Sequence, residues 1–314
     1  MRYRKLGKWG LRVSEVGLGS WLTYGSGVEA AEARRCLRAA FEGGINFFDT
    51  ADVYSNGDAE RFLGRFLGEL PRREFVVASK CYFPMSEGPN DRGLSRKHIL
   101  ESCDATLDRL GLEYLDLYQA HRFDDEVPLE EVVLAMDHLV RQGKILYWGT
   151  SRWSALQLAD SVHLARSLGA HAQASEQPRY HLLDRSIEGE VREVARREGI
   201  GLVVYSPLAQ GVLTGKYSGG RVPEGSRATD ERAVELIRPW MEPAALERVD
   251  RLCALAEEAG VPPARLALAW CLRLPEVSSV IVGASRAEQI EENAATSGYE
   301  LPAGLLERIE EIFA

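Results

Sequence analysis

The sequence predicts a closed (β/α)8 barrel, a TIM barrel, on three observations. Eight short apolar runs recur along the 314 residues, segments with helical periodicity separate most of them, and the runs are apolar on both faces. Strands buried on both faces belong to parallel sheets covered by helices, and a strand-helix rhythm of roughly 30 residues is that of βαβ crossover units. Eight such units point to closure. An open doubly wound sheet is the alternative that the pattern leaves. Its dinucleotide fingerprint fails here, because Gly17-Leu18-Gly19-Ser20-Trp21-Leu22 begins G-x-G and then offers Trp21 and Leu22 where the last glycine belongs.

Taken in order, residues 2–15 read as a hairpin, with Lys5-Leu6-Gly7 and Gly10-Leu11-Arg12 along it, that could plug the bottom of the barrel. The eight runs follow at 16–21, 45–50, 75–80, 115–121, 145–151, 172–177, 201–206 and 278–284. Between the third and fourth, Leu100, Cys103, Leu107 and Leu110 line one helical face, with Ser95 as N-cap and Gly111 just past the end. A second helix fits Leu129 to Gln142, bounded by Pro128 and Gly143, with Val132, Met136, Leu139 and Val140 inward. The gap from 207 to 277 is too long for one crossover. It holds a Gly-rich polar tract at 211–227 and then two more helical patterns, and a loop of that length in a compact domain usually carries function. No linker or charge tract divides the chain, so residues 1–314 read as one domain.

A net charge of −9 makes counterion release from nucleic-acid phosphates an unlikely source of affinity and repels an anionic membrane surface. Any positive site must be local. Five cysteines without a C-x-x-C pair fit reduced thiols rather than a disulfide framework. The amino terminus has no apolar signal-peptide core, and no run approaches the 18 or so apolar residues that would span a bilayer. These features read as a cytoplasmic protein without membrane insertion. The histidines lack H-E-x-x-H or cysteine partnering, so no metal site is expected.

In a barrel of this kind, chemistry sits at the carboxyl ends of the strands. There the chain supplies Asp49, Tyr54 in the following loop, Lys80 and His121. Each taken singly has a plain structural reading; together they form an acid-base set. A phenol titrates near 10, and a neighbouring ammonium is expected to lower that value. Lys80 is the candidate neighbour, Asp49 its counter-charge, and His121 a group able to hydrogen-bond a carbonyl oxygen.

At these residues the chain resembles the aldo-keto reductases, within them most closely the voltage-gated potassium channel β subunits and their bacterial relatives. The stretches GINFFDTADVY, RGLSRKHI, YWGTSRWS, YSPLAQGVLTGKY and VSSVIVGASRAEQIEEN carry the likeness over nearly the whole chain. The resemblance implies an NADPH-dependent reductase of aldehydes and ketones, with Asp49, Tyr54, Lys80 and His121 as the catalytic tetrad. It further implies that Ser151, Arg152 and Gln177 hold the nicotinamide carboxamide, that Tyr205 stacks on the ring, and that Ser20 and Trp21 lie nearby. Ser206, Pro207, Leu208, Ala209, Gln210 and Gly211 match the pyrophosphate-facing loop. Lys216, Arg227, Gly283, Ala284, Ser285, Arg286 and Gln289 match or adjoin the 2′-phosphate positions, and Glu292 and Asn293 the adenine contacts. Three cations, Lys216, Arg227 and Arg286, converging in an acidic chain would favour NADPH over NADH. Tyr205 stands where channel subunits typically have tryptophan, and His121 where they commonly have asparagine. The same resemblance implies tetramers or larger rings, and it leaves a second role, a partner-binding regulatory subunit that senses nicotinamide redox state. Substrate shape is assigned to loops 82–94, 122–128 and 207–240, with Tyr82, Phe83 and Trp240 as pocket candidates.

Overall fold

The computed structural model describes residues 1–21, 29–230 and 233–314. Its sheet closes. The hairpin strands β1 (Tyr3–Lys5) and β2 (Arg12–Ser14) come first, and the barrel strands are β3 (Val16–Gly19), β4 (Phe47–Asp49), β5 (Val76–Cys81), β6 (Leu115–Ala120), β7 (Ile145–Ser151), β8 (Ser175–Gln177), β9 (Gly201–Tyr205) and β10 (Val277–Val282). They pair in parallel in chain order, and β10 returns to β3. All eight predicted runs are therefore barrel strands.

Side chains alternate along a strand, so parity decides which residues enter the lumen. Phe47, Val76, Ala78, Leu117 and Val203 pack inside the barrel with Leu6 and Val13 of the hairpin. Phe48, Val77, Tyr118, Leu202 and Val204 point outward into the layer between strands and helices. Counting by twos from the inner set reaches Asp49 on β4, Lys80 on β5, His121 just past β6 and Tyr205 on β9. Every tetrad candidate on a strand thus shares the inward parity of the core below it.

The hairpin blocks the opposite end. Asn46, ahead of β4, accepts the Ser14 amide at 2.7 Å, the Lys8 amide reaches the Gly199 carbonyl at 2.9 Å, and the Gly7 amide reaches Ser278 Oγ at 3.3 Å. These partners lie before or at the starts of their strands, so the carboxyl ends face the open rim. The helix at Arg96–Leu110 is capped as expected: Ser95 Oγ accepts the His98 amide, and Gly111 takes φ +67°. The helix at Leu129–Arg141 buries Val132, Met136 and Leu139, with Val140 half-buried.

After β9 the chain runs through short turns and a four-residue helix, Val234–Ile237, before the helices Pro243–Glu258 and Pro263–Leu272. This is the insertion that the long gap predicts. The five cysteines are free, four of them buried. Among the described residues no helix is long and apolar enough to cross a membrane.

Candidate active site

Lys80 is the centre of the rim. It is fully buried, and its Nζ donates to Asp49 Oδ1 at 2.7 Å, to the Thr50 carbonyl at 2.7 Å and to Tyr54 Oη at 3.5 Å. Gln177 Nε2 donates to the other Asp49 oxygen at 2.8 Å, which ties β8 to the same carboxylate. Burial alone would discharge Lys80, but Asp49 first and Tyr54 next hold its pKa above the ordinary lysine value. It is an ammonium.

Tyr54 opens a turn whose next three residues, Ser55, Asn56 and Gly57, all have positive φ. That strained turn brings the phenol back over the lumen. Asp52 anchors it: its Oδ1 accepts the Val53 amide at 2.6 Å and its Oδ2 the Ser102 hydroxyl at 3.0 Å. Burial and then Glu60 push the Asp52 carboxyl up to about 7. The expected lowering of the Tyr54 pKa is not the net result. Lys80 acts in that direction, but burial outweighs it and leaves the phenol above its ordinary value. A protonated tyrosine beside an ammonium is a hydrogen-bond donor whose phenolate, once formed, has a cation at hand.

His121 is buried, with its ring edge-to-face to Tyr54 at 5.9 Å and to Phe83 at 5.0 Å. Burial, then Lys80 and Arg122, drive its pKa well below the usual histidine value, so the imidazole is neutral. Its buried Nδ1 has no hydrogen-bond partner among the described residues. A neutral imidazole beside a phenol can offer an N–H to an oxygen without adding a charge.

Around this centre, Ser20 Oγ donates to Thr50 Oγ1 at 2.9 Å, and the Trp21 ring lies 6.4 Å from Tyr54. Ser151 Oγ donates to the Gln177 carbonyl at 2.9 Å. Arg152 is exposed, at φ +59°. Tyr205 is half-buried at the end of β9, and beyond it Ser206, Ala209, Gln210 and Gly211 all have positive φ. Such runs of left-handed residues make concavities that suit anions, and strain in non-glycine residues is typical of ligand loops. Leu208 is half-buried and Pro207 buried in this loop. Gln210 braces the loop by donating to Ser206 Oγ at 2.7 Å and accepting from Arg227.

Lys216 packs on Gly211, where an added Cβ would meet its Nζ at 2.9 Å, and Arg227 holds Gln210. Arg286, exposed, caps the helix Ala287–Ala294, and no contact joins it to the other two among the described residues. Beside it, Gln289 Oε1 accepts the Ser285 amide at 2.9 Å; Gly283 and Glu292 are exposed, while Ala284 and Asn293 are buried. Trp240 packs on His181 at 4.5 Å and under Arg179 at 5.0 Å, and among the described residues no ring contact joins it to Tyr82 or Phe83.

Residues 15–314 match the model of the aldo/keto reductase family, and the chain belongs to that family. The family is one of oxidoreductases that generally use NAD(P)H. Among similar proteins, a putative voltage-gated potassium channel subunit beta of Schizosaccharomyces pombe is 43% identical over 320 residues, covering 99% of this chain and 92% of the relative. Probable voltage-gated potassium channel subunits beta of Arabidopsis thaliana and Oryza sativa subsp. japonica are 44% and 43% identical over 295 residues, each covering 93% of this chain and 90% of the relative.

Proposed function

We propose that this chain is an NADPH-dependent reductase that converts aldehydes, and ketones of similar size, to alcohols. The observation that carries the reading is the contact chain Asp49–Lys80–Tyr54 beside neutral His121, all on the lumen side of one rim. Two observations support a bound dinucleotide and its carbonyl substrate: Ser206, Ala209, Gln210 and Gly211 have the positive φ that suits an anion-facing loop, and the buried His121 Nδ1 has no hydrogen-bond partner among the described residues. Ser20, Trp21, Ser151, Arg152, Gln177 and Tyr205 would hold the nicotinamide end. The 206–211 loop would take the pyrophosphate, and Lys216, Arg227, Ser285, Arg286 and Gln289 the 2′-phosphate. When bound, the dinucleotide supplies a hydride. Glu292 and Asn293 would meet the adenine, with Gly283 and Ala284 leaving room for the backbone to approach.

The protein's part is proton delivery and positioning. His121 fixes the carbonyl oxygen through an N–H, and Tyr54 gives it the phenolic proton as negative charge develops there. Lys80 stabilises the phenolate left on Tyr54, while Asp49, itself held by Gln177, keeps Lys80 charged and aimed. The same reading takes residues 1–314 as one catalytic domain that works in the cytoplasm as a homo-oligomer, a tetramer or larger.

The names of the relatives favour a second reading: a β-type regulatory subunit that binds a channel or other partner and senses nicotinamide redox state. His121 favours the enzyme. The test follows NADPH absorbance against aldehydes including methylglyoxal and nitrobenzaldehyde, with NADH in parallel. Turnover with a preference for NADPH supports the reductase. No turnover, together with equal partner capture by wild type and a tetrad variant, would favour the sensor.

A further inference from the structure

Arg122 follows His121 directly. Its guanidinium donates to the His121 carbonyl and lies 5.2 Å from the Phe83 ring centre. Phe83 stands edge-to-face to both His121, at 5.0 Å, and Tyr82, at 5.2 Å. One aromatic ring therefore touches both the cation and the imidazole beside the phenol. Arg122 is half-buried and forms no ion pair with the described residues.

A guanidinium partly removed from water needs an opposite charge. The neighbours do not supply a bonded one. Arg152 repels it, and Glu176, the carboxylate that attracts it, is buried and committed to the Thr150 hydroxyl at 2.6 Å and the Trp153 amide at 3.2 Å. Burial also raises the Glu176 carboxyl to about 7, so its charge is incomplete at neutral pH. Lys80 is matched by Asp49, and His121 is neutral. Among the described residues around His121, the positive charge without a bonded carboxylate thus rests on Arg122 and Arg152.

We propose that Arg122 binds a carboxylate carried by the substrate, so that the site selects aldehydes bearing an acid group, with Phe83 flanking the spacer between acid and aldehyde. The proposal rests on the reductase reading. A planar guanidinium matches a carboxylate through paired N–H donors, which a lysine cannot reproduce. The Phe83 edge-to-face array suits a flat spacer such as a benzene ring.

The test compares 4-carboxybenzaldehyde with 4-nitrobenzaldehyde, which have planar para groups of similar size, one charged and one not. The reading is the ratio of their kcat/KM values with NADPH. Arg122→Met should lower the ratio by about ten- to a hundredfold, mostly through KM for the acid, and Arg122→Lys should restore part of it. In the wild type, added NaCl should lower the ratio; in Arg122→Met it should not. A ratio unchanged in Arg122→Met, with both substrates weakened alike, overturns the proposal and leaves Arg122 a structural residue. If Arg122→Met does not fold, the wild-type salt titration decides, and a salt-independent ratio overturns the proposal. Turnover of neither aldehyde by the wild type removes the reductase reading itself, a result separate from the loss of selectivity.

Discussion

Lys80 keeps its charge in a place where burial alone would remove it, because Asp49 at 2.7 Å compensates and the Thr50 carbonyl accepts a further N–H. The phenol beside it stays protonated because burial disfavours phenolate more strongly than Lys80 favours it. These signs set a pH profile. Reduction needs protonated Tyr54, whose pKa lies above the ordinary value of about 10, and neutral His121, whose pKa lies well below about 6.5. We expect kcat/KM for a neutral aldehyde to stay flat from about pH 6.5 to 9, with losses only beyond those limits. A titrating limb near pH 7.5, in a range where neither group changes charge, would mean that another group sets the profile, with Asp52 and Glu176, each pushed up to about 7, as the candidates. Asp49, Lys80 and His121 were legible in the sequence because each ends an apolar run, where a charged side chain has no packing role to play. Asp52 was not. Its main partner, Ser102, lies on a helix 50 positions away, and no local pattern announces that pairing. The net direction of the Tyr54 shift was hidden for a similar reason: it depends on burial, which a sequence does not display.

At the scale of elements, the eight strands could be read because parallel strands buried on both faces carry unbroken apolar runs. The runs overshoot the paired residues, as at 45–50 against Phe47–Asp49, where Asn46 and Thr50 still bond to β5 through the Val76 amide and the Ala78 carbonyl. The insertion after β9 announced itself by length, yet the neighbours of Trp240, Lys216 and Arg227 depend on loop paths that composition does not fix. The hairpin gives a direct test of the closed end. Gly7 has φ +57°, and a Cβ there would meet the Gly199 carbonyl oxygen at 2.2 Å and the Gly201 nitrogen at 2.5 Å. Gly7→Ala should therefore destabilise by about 2–4 kcal/mol, from backbone strain plus overpacking. Gly10→Ala, where nothing lies within 4 Å, should stay within about 0.5 kcal/mol of wild type. Urea unfolding of the two variants checks the contrast, and equal midpoints would mean that the hairpin does not seat against the barrel.

For the whole molecule, the chain is acidic, at −9, while Lys216 and Arg227 stand together near the 206–211 loop. A ligand that binds only the folded state stabilises it by about 2.7 kcal/mol at a hundred times its dissociation constant, so melting temperature reports cofactor choice without needing a substrate. We expect NADPH to raise Tm more than an equal concentration of NADH, and Lys216→Ala to shrink that difference. Equal shifts from both dinucleotides would remove the 2′-phosphate assignment while leaving the tetrad geometry untouched.

The most direct measurement is a single-turnover reduction of 4-nitrobenzaldehyde by NADPH-loaded wild type and Tyr54→Phe, with NADPH binding followed separately by fluorescence. The phenylalanine keeps the ring beside His121 and deletes only the hydroxyl that Lys80 meets at 3.5 Å. We expect NADPH to bind both proteins with similar affinity and the reduction rate to fall by about 100-fold or more in the variant. A variant that binds NADPH and reduces the aldehyde at near wild-type rate would contradict Tyr54 as the proton donor.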